Sequence, residues 1–160
     1  MTAPRVGMGV DIHPFGDPDD PKPLVLGGVH FDGTALRGHS DADALSHAAA
    51  DALLGAAGLG DIGQLFPDTD PAWAGADSIE LLREVARRVR AAGWSVANID
   101  CTVVLEAPRL APHRADMQRR LGEAVGAPVS VKATRPEGLG ALGRAEGIAC
   151  FAVALLQAQT

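Results

Sequence analysis

Between Gly38 and Asp70 the chain reads GHSDADALSHAAADALLGAAGLGDIGQLFPDTD. Two His and six Asp are crowded against an Ala- and Leu-rich run with the character of a helix. Charged side chains are costly to bury unless they are paired or bound to a metal. A chain does not concentrate them beside an apolar helix to build a core. The stretch must therefore be carried at a site, and Asp11-Ile12-His13 upstream supplies residue types that complete it.

The pattern around it predicts alternating strands and helices. Arg5 to Ile12 reads as a strand with Val6, Met8 and Val10 on one face, ended by Pro14. Asp11 and His13, two apart, then point the same way. Leu24 to Phe31 reads as a second strand with a Gly-Gly break, a bulge or a hairpin. Asp41 to about Ala57 reads as a helix with Ser40 as N-cap. Asp43, His47 and Asp51 would form one polar stripe on it, opposite Leu45, Ala49, Leu53 and Ala56. Residues 58–75 read as a long loop, and Asp77 or Ser78 caps a helix that Gly93 stops. Ser95 to Glu106 is a predicted strand, Pro112 to Gly126 a helix, Val129 to Thr134 a short strand and Ile148 to Gln157 a last helix. With no internal repeat or linker, this predicts one α/β or α+β layered domain.

Composition narrows the function. A net charge of −6, without a basic stripe, argues against a nucleic-acid binder. The Arg-rich helix around Arg83, Arg87, Arg88 and Arg90 also carries Glu80 and Glu84, and reads as a solvated face. No apolar run is long enough to cross a bilayer, and the N-terminus lacks the apolar core of a secretory signal, so a cytoplasmic setting is expected. Cys101 and Cys150 lie among apolar neighbours and read as buried thiols. An anionic ligand of so acidic a chain needs positive charge recruited locally, from metal ions or helix N-termini.

Asp11, His13 and a later His could form a His₂-carboxylate metal site. His47 lies mid-helix, where it can project toward the strand, and His39 lies on the approach. Asp51 is a candidate to orient a ligand His from behind. The Asp61 to Asp70 segment reads either as a loop shaped for hydroxyl groups or as plain turn chemistry. Lys132-Ala133-Thr134-Arg135-Pro136-Glu137-Gly138 follows a strand and can hold phosphate, although it is no P-loop. Ala107-Pro108-Arg109-Leu110, at a strand end, offers backbone groups to a base.

The ordered set D-x-H, GHSDAD, DALLGAAGLGDIGQLFPDTD, GADS, A-P-R-L, K-A-T and GR-x-EGIA resembles the 2-C-methyl-D-erythritol 2,4-cyclodiphosphate synthases from Arg5 to about Leu156. The resemblance implies a single-domain α+β fold with a mixed sheet covered by helices, assembled as a homotrimer with active sites between subunits. It implies a lyase of the non-mevalonate isoprenoid pathway, which cyclises 4-diphosphocytidyl-2-C-methyl-D-erythritol 2-phosphate and releases CMP. Zinc would be held by Asp11, His13 and His47. Magnesium or manganese would ride on the substrate diphosphate and Glu137. His39 would stabilise the transition state, with Ser40 at the 2-phosphate. Asp61, Ile62, Gly63, Phe66, Pro67, Asp68, Thr69 and Asp70 would bind the methylerythritol. Cytidine diphosphate would lie on Leu105, Ala107, Pro108, Arg109, Leu110 and Ala111, and on Lys132, Ala133 and Thr134, with Ala141 and Arg144 nearby. Arg144 and Glu146 would face a trimer-axis cavity able to hold an isoprenoid diphosphate.

Four positions depart from the family pattern. Arg135 and Pro136 replace two threonines, and Arg135 inherits the place of a phosphate-contacting stabiliser, with a guanidinium instead of a hydroxyl. Arg109 replaces the usual Lys. Ala141 replaces an aromatic residue. A zinc-dependent phosphoester hydrolase and an inactive isoprenoid-diphosphate-binding trimer are the competing expectations.

Overall fold

The computed structural model describes residues 3–159. Its elements are β1 (Arg5–Pro14), β2 (Leu24–Leu26), β3 (Val29–Phe31), α1 (Ala44–Ala57), α2 (Ile62–Leu65), α3 (Ser78–Ala91), β4 (Trp94–Val104), α4 (Arg114–Val125), β5 (Val129–Thr134), α5 (Gly140–Gly143) and β6 (Gly147–Ala158). Short 3₁₀ turns span Pro71–Trp73 and Ala111–His113. The main sheet has the order β1-β6-β4-β5. β1 and β4 run antiparallel to β6, and β4 and β5 are parallel with α4 between them, so the sheet is mixed and the fold is α+β. β2 and β3 form a separate hairpin. Its turn is Gly27-Gly28, both at positive φ (57° and 73°), a backbone that glycine adopts without steric cost.

The contact between α1 and β1 organises the molecule. β1 alternates, but the apolar residues do not face the helices. Val6, Met8 and Ile12 are 67%, 61% and 62% exposed, while Gly7 and Gly9 are buried. A Cβ on Gly7 would sit 2.0 Å from the Ala52 carbonyl oxygen, and one on Gly9 1.9 Å from that of Ala48. The strand thus presents bare backbone to a helix whose facing residues are alanines, and the two approach as closely as backbones can. Asp11 and His13 continue the Gly7-Gly9 face and so emerge beside α1.

Several local expectations change. Residues 148–157 form strand β6, not a helix, at the centre of the sheet. Ala152, Ala154 and Leu156 face the core while Phe151, Val153 and Leu155 face outward, so both faces are apolar and the period of two is hidden. α1 starts at Ala44 and its cap is Asp43, not Ser40. The expected stripe breaks there. Asp43 is fully buried and accepts from the backbone N–H of Gly27 (2.9 Å), Gly28 (2.7 Å) and Ser46 (3.0 Å) and from the Ser46 hydroxyl (2.7 Å). One carboxylate therefore starts the helix and ties down the hairpin turn. The 58–75 segment is not one loop, since it holds α2 and a 3₁₀ turn. α3 is capped by Asp77, which accepts from the Ile79 N–H at 2.9 Å; Arg83, Arg87 and Arg88 pair with Glu80 and Glu84 at the surface as expected, while Arg90 donates to the Val125 carbonyl. Both cysteines are buried and free. No helix among the described residues is long and apolar enough to cross a membrane.

Candidate active site

Asp11 and His13 on β1 meet His47 on α1. The Asp11 Oδ2 atom lies 2.9 Å from His13 Nε2 and 3.2 Å from His47 Nδ1. One donor atom from each residue falls within 4.8 Å of the other two, and this is the one such His/Asp cluster among the described residues. Burial opposes ionisation of Asp11, yet hydrogen bonds from His13 and His47 outweigh it and hold the carboxyl below its ordinary value. His13 shifts upward, first through its hydrogen bond to Asp11. The far nitrogens are occupied too. His13 Nδ1 donates to the Arg37 carbonyl at 2.6 Å, and His47 Nε2 lies 2.8 Å from the Ser78 hydroxyl. A cation between the three groups would displace the protons that the near nitrogens share with Asp11, and those nitrogens would then present lone pairs to it while the far ones keep their partners.

This cluster opens on a cavity of about 230 Å³ that also takes in His39, Ser40, Ile62, Gly63, Phe66 and Asp68, all expected at the substrate. Trp73, packed edge-on against Phe66 at 4.9 Å, completes one wall. His39 Nε2 meets the Asp70 carbonyl at 3.0 Å. The carboxylates of Asp61 and Asp70 are engaged as caps. Asp61 accepts from the Gln64 N–H (2.9 Å) and amide side chain (2.6 Å), which lowers its pKa, and Asp70 accepts from the Ala72 N–H (2.9 Å). Pro67, Thr69 and Asp70 lie on the turn that leads out of this wall, with the Asp70 N–H bonded to the Pro67 carbonyl. Asp51 does not orient a histidine. It accepts from the Ile62 N–H at 3.1 Å and fastens α2 to α1.

The second half of the expected site lies elsewhere. Leu105, Pro108, Arg109, Leu110, Ala111, Ala133, Thr134 and Arg135 line a cavity of about 380 Å³ at the ends of β4 and β5, together with Glu106 and Arg114. It shares no lining residue with the first cavity. Arg109, Arg114 and Arg135 have no carboxylate partner among the described residues, so three guanidiniums at this cavity are free for an anion. Lys132 instead points outward from β5 to Asp100, and Ala107 turns toward a neighbouring hollow. Glu137 is exposed on a left-handed turn (φ 55°) beside Gly138, whose N–H is held by Glu106 at 2.9 Å. Arg144 and Glu146 form an exposed ion pair at 2.6 Å near the start of β6, with Ala141 one turn earlier on α5. The residues that sequence reasoning passes over are Arg114, Trp73 and the Asp41–Ser78 contact behind His47. The GADS motif was the available signal for the last, although it reads there only as a helix cap.

The YgbB family matches residues 4–157. The 2-C-methyl-D-erythritol 2,4-cyclodiphosphate synthase of Rubrobacter xylanophilus is 55% identical over 161 residues, covering 98% of this chain and 97% of the relative. The synthase of Escherichia coli O6:K15:H31 is 53% identical, over 95% and 96%. The bifunctional enzyme IspD/IspF of Anaeromyxobacter sp. is 53% identical over 98% of this chain, which spans 41% of that longer relative. Among solved structures, a Plasmodium falciparum IspF in complex with CDP superposes with a TM-score of 0.85 at 31% identity, covering 98% of this chain and 97% of that one. The bifunctional IspDF of Campylobacter jejuni superposes at 0.91 and 41% identity, over 98% of this chain and 42% of that one. A match over nearly every described residue, with two relatives more than half identical over 96–97% of their own length, places this chain in the YgbB family.

Proposed function

We propose that this chain cyclises 4-diphosphocytidyl-2-C-methyl-D-erythritol 2-phosphate to 2-C-methyl-D-erythritol 2,4-cyclodiphosphate with release of CMP, as a phosphorus–oxygen lyase of the cytoplasmic non-mevalonate isoprenoid pathway. The observation that carries this reading is the three-donor cluster of Asp11, His13 and His47 beside a cavity lined by His39 and Ser40. A separate arginine-lined cavity is suited to a nucleoside diphosphate.

The donor set fits zinc. Ligand atoms of a tetrahedral zinc lie roughly 3.3 Å apart, given bond lengths of about 2.0–2.1 Å, and Asp11 Oδ2 already stands 2.9 and 3.2 Å from the two imidazole nitrogens. Bound there, zinc supplies Lewis-acid polarisation of a phosphate oxygen and a fixed template. The remaining work falls to side chains. Ser40 and His39 hold the 2-phosphate, and His39 stabilises charge as its oxygen attacks the β-phosphorus. That P–O bond forms while the bond to the CMP oxygen breaks, and no water enters. Ile62, Gly63, Phe66 and Asp68 enclose the polyol, with Asp61, Pro67, Thr69 and Asp70 shaping the loop. Leu105 to Ala111 and Lys132 to Thr134 seat the cytidine. Arg135 and Arg109 neutralise the diphosphate with guanidiniums. Glu137 offers a carboxylate to magnesium or manganese, which is commonly bound through one or two carboxylates plus substrate phosphates.

The reading includes a homotrimer. A neighbouring subunit that brings its nucleotide cavity to the metal cluster would join two half-sites that share no lining residue within one chain. The outward face of the sheet, with Val6, Met8, Val10, Ile12 and Val153 exposed, supplies an apolar surface for that contact. Arg144 and Glu146 then border the axis, where an isoprenoid diphosphate can be held. Incubation with substrate, zinc and magnesium is expected to release CMP together with a product that has gained no water. A product heavier by one water would indicate a hydrolase, and absence of CMP would refute the reading.

A further inference from the structure

His47 meets the metal cluster through Nδ1, whereas His13 does so through Nε2. In each ring the ligating nitrogen must be the one without a proton, so the group behind the ring decides whether the site is competent. For His13 that group is the Arg37 carbonyl, which can only accept, and one hydrogen bond fixes the tautomer. For His47 it is the Ser78 hydroxyl, which can donate or accept and so fixes nothing alone.

Asp41 removes the ambiguity. Its Oδ1 atom accepts the Ser78 hydroxyl proton, and a carboxylate is acceptor-only. With its single proton directed to Asp41, the Ser78 oxygen can only accept from His47 Nε2–H. Ser78 is 1% exposed, so water cannot substitute. Asp41 itself is pinned by the Ser78 N–H on Oδ2 and the Asp43 N–H on Oδ1, each at 3.1 Å. The nearest competitor, the Ser40 hydroxyl, lies farther from His47 Nε2 at 3.2 Å; it accepts the Ala42 N–H and can direct its own proton to the Ser78 oxygen, 3.4 Å away.

We propose that Asp41 and Ser78 are positioning residues whose hydrogen-bond polarity forces His47 into its Nε2–H tautomer and so turns its Nδ1 lone pair toward the metal. This rests on the reading of Asp11, His13 and His47 as metal ligands. Asp41→Asn tests the polarity with little change of shape. The new carbonyl oxygen can keep the Ser78 N–H, while the NH₂ donates to the Ser78 oxygen and drives the hydroxyl proton onto His47 Nε2, at the cost of the Asp43 N–H losing its acceptor.

Without metal the Asp11 carboxylate, 3.2 Å from Nδ1, itself attracts a proton there. The tautomer is therefore read in the zinc-free Asp11→Ala background, above the histidine titration range. There ¹⁵N shifts are expected to show His47 protonated on Nε2 with Asp41 intact and on Nδ1 with Asp41→Asn. Zinc affinity of Asp41→Asn alone, measured by chelator competition, is expected to fall by about 10–100-fold. Ser78→Ala removes the acceptor altogether and is expected to mix the tautomers and lower affinity similarly, which keeps the test available if Asp41→Asn folds poorly. Folded variants that retain Nε2–H and bind zinc within about 2-fold of wild type would overturn the proposal. His13→Ala separates the two levels. Zinc lost there but kept in Asp41→Asn refutes the relay alone, whereas zinc kept in His13→Ala refutes the ligand assignment and the relay with it.

Discussion

Gly9→Ala tests whether the backbone contact between β1 and α1 sets the metal spacing. An added Cβ would lie 1.9 Å from the Ala48 carbonyl oxygen and 2.7 Å from the Ala52 nitrogen. The first is about 1.5 Å short of ordinary van der Waals contact. Both obstacles are backbone atoms, so no rotamer change or side-chain truncation relieves them, and strand and helix must part. Inserting a methyl into a packed core costs about 1–3 kcal/mol, and this geometry belongs at the upper end, about 3 kcal/mol. Asp11 lies two residues beyond Gly9 and His47 one residue before Ala48, so the separation is carried straight into the 3.2 Å Asp11–His47 pair. A metal site tolerates only about 0.2 Å in its ligand distances. Zinc affinity should therefore fall together with stability.

Gly55→Ala is the matched control on the same helix, where nothing lies within 4 Å of the added Cβ. It is expected to stabilise by about 0.5–1 kcal/mol, because alanine loses less backbone freedom than glycine in a helix interior. Urea unfolding with chelator present isolates the packing effect, and chelator competition reads the metal. The reasoning is refuted if Gly9→Ala costs less than about 0.5 kcal/mol. It is equally refuted if stability falls while zinc affinity holds, since the close approach would then not govern the site.

Two further outcomes follow from buried groups. Asp43→Ala leaves two hairpin N–H groups, the Ser46 N–H and the Ser46 hydroxyl without their acceptor, and is expected to cost at least about 3 kcal/mol in urea unfolding. A loss below about 1 kcal/mol would mean that the hairpin does not depend on this carboxylate. Burial pushes the Cys101 thiol up to about 12 and Cys150 well above its ordinary value, so neither should react with a thiol reagent in the native protein at neutral or mildly alkaline pH, while both react in denaturant. A thiol that reacts rapidly in the folded state would contradict their placement.

What could be read from the chain was whatever local chemistry determines. The D-x-H spacing forces two ligands onto one strand face, and the α3 helix shows its Asp77 cap, its charged outer face and the Gly93 stop in consecutive residues. The misreadings share a cause, which is that the deciding partner is distant. Among Ser40, Asp41 and Asp43, each able to cap α1, the choice falls to Asp43 because Gly27 and Gly28, 15 or 16 residues away, bring two more donors to it. Ser78 looks like an ordinary helix start until Asp41, 37 positions earlier, is folded against it. β6 looks helical because a strand apolar on both faces shows no period of two. β1 shows that period clearly and still misleads about its sides, because the favoured inner residue is the absent side chain of glycine. The same inversion explains why the outer face must be apolar. A sheet that gives its inner edge to backbone contact leaves Val6, Met8 and Ile12 in solvent, and solvation of so continuous an apolar row is unfavourable unless another surface covers it. The proposed homotrimer would answer both features at once, covering the apolar row on β1 and bringing a neighbour's arginine-lined cavity to the metal cluster.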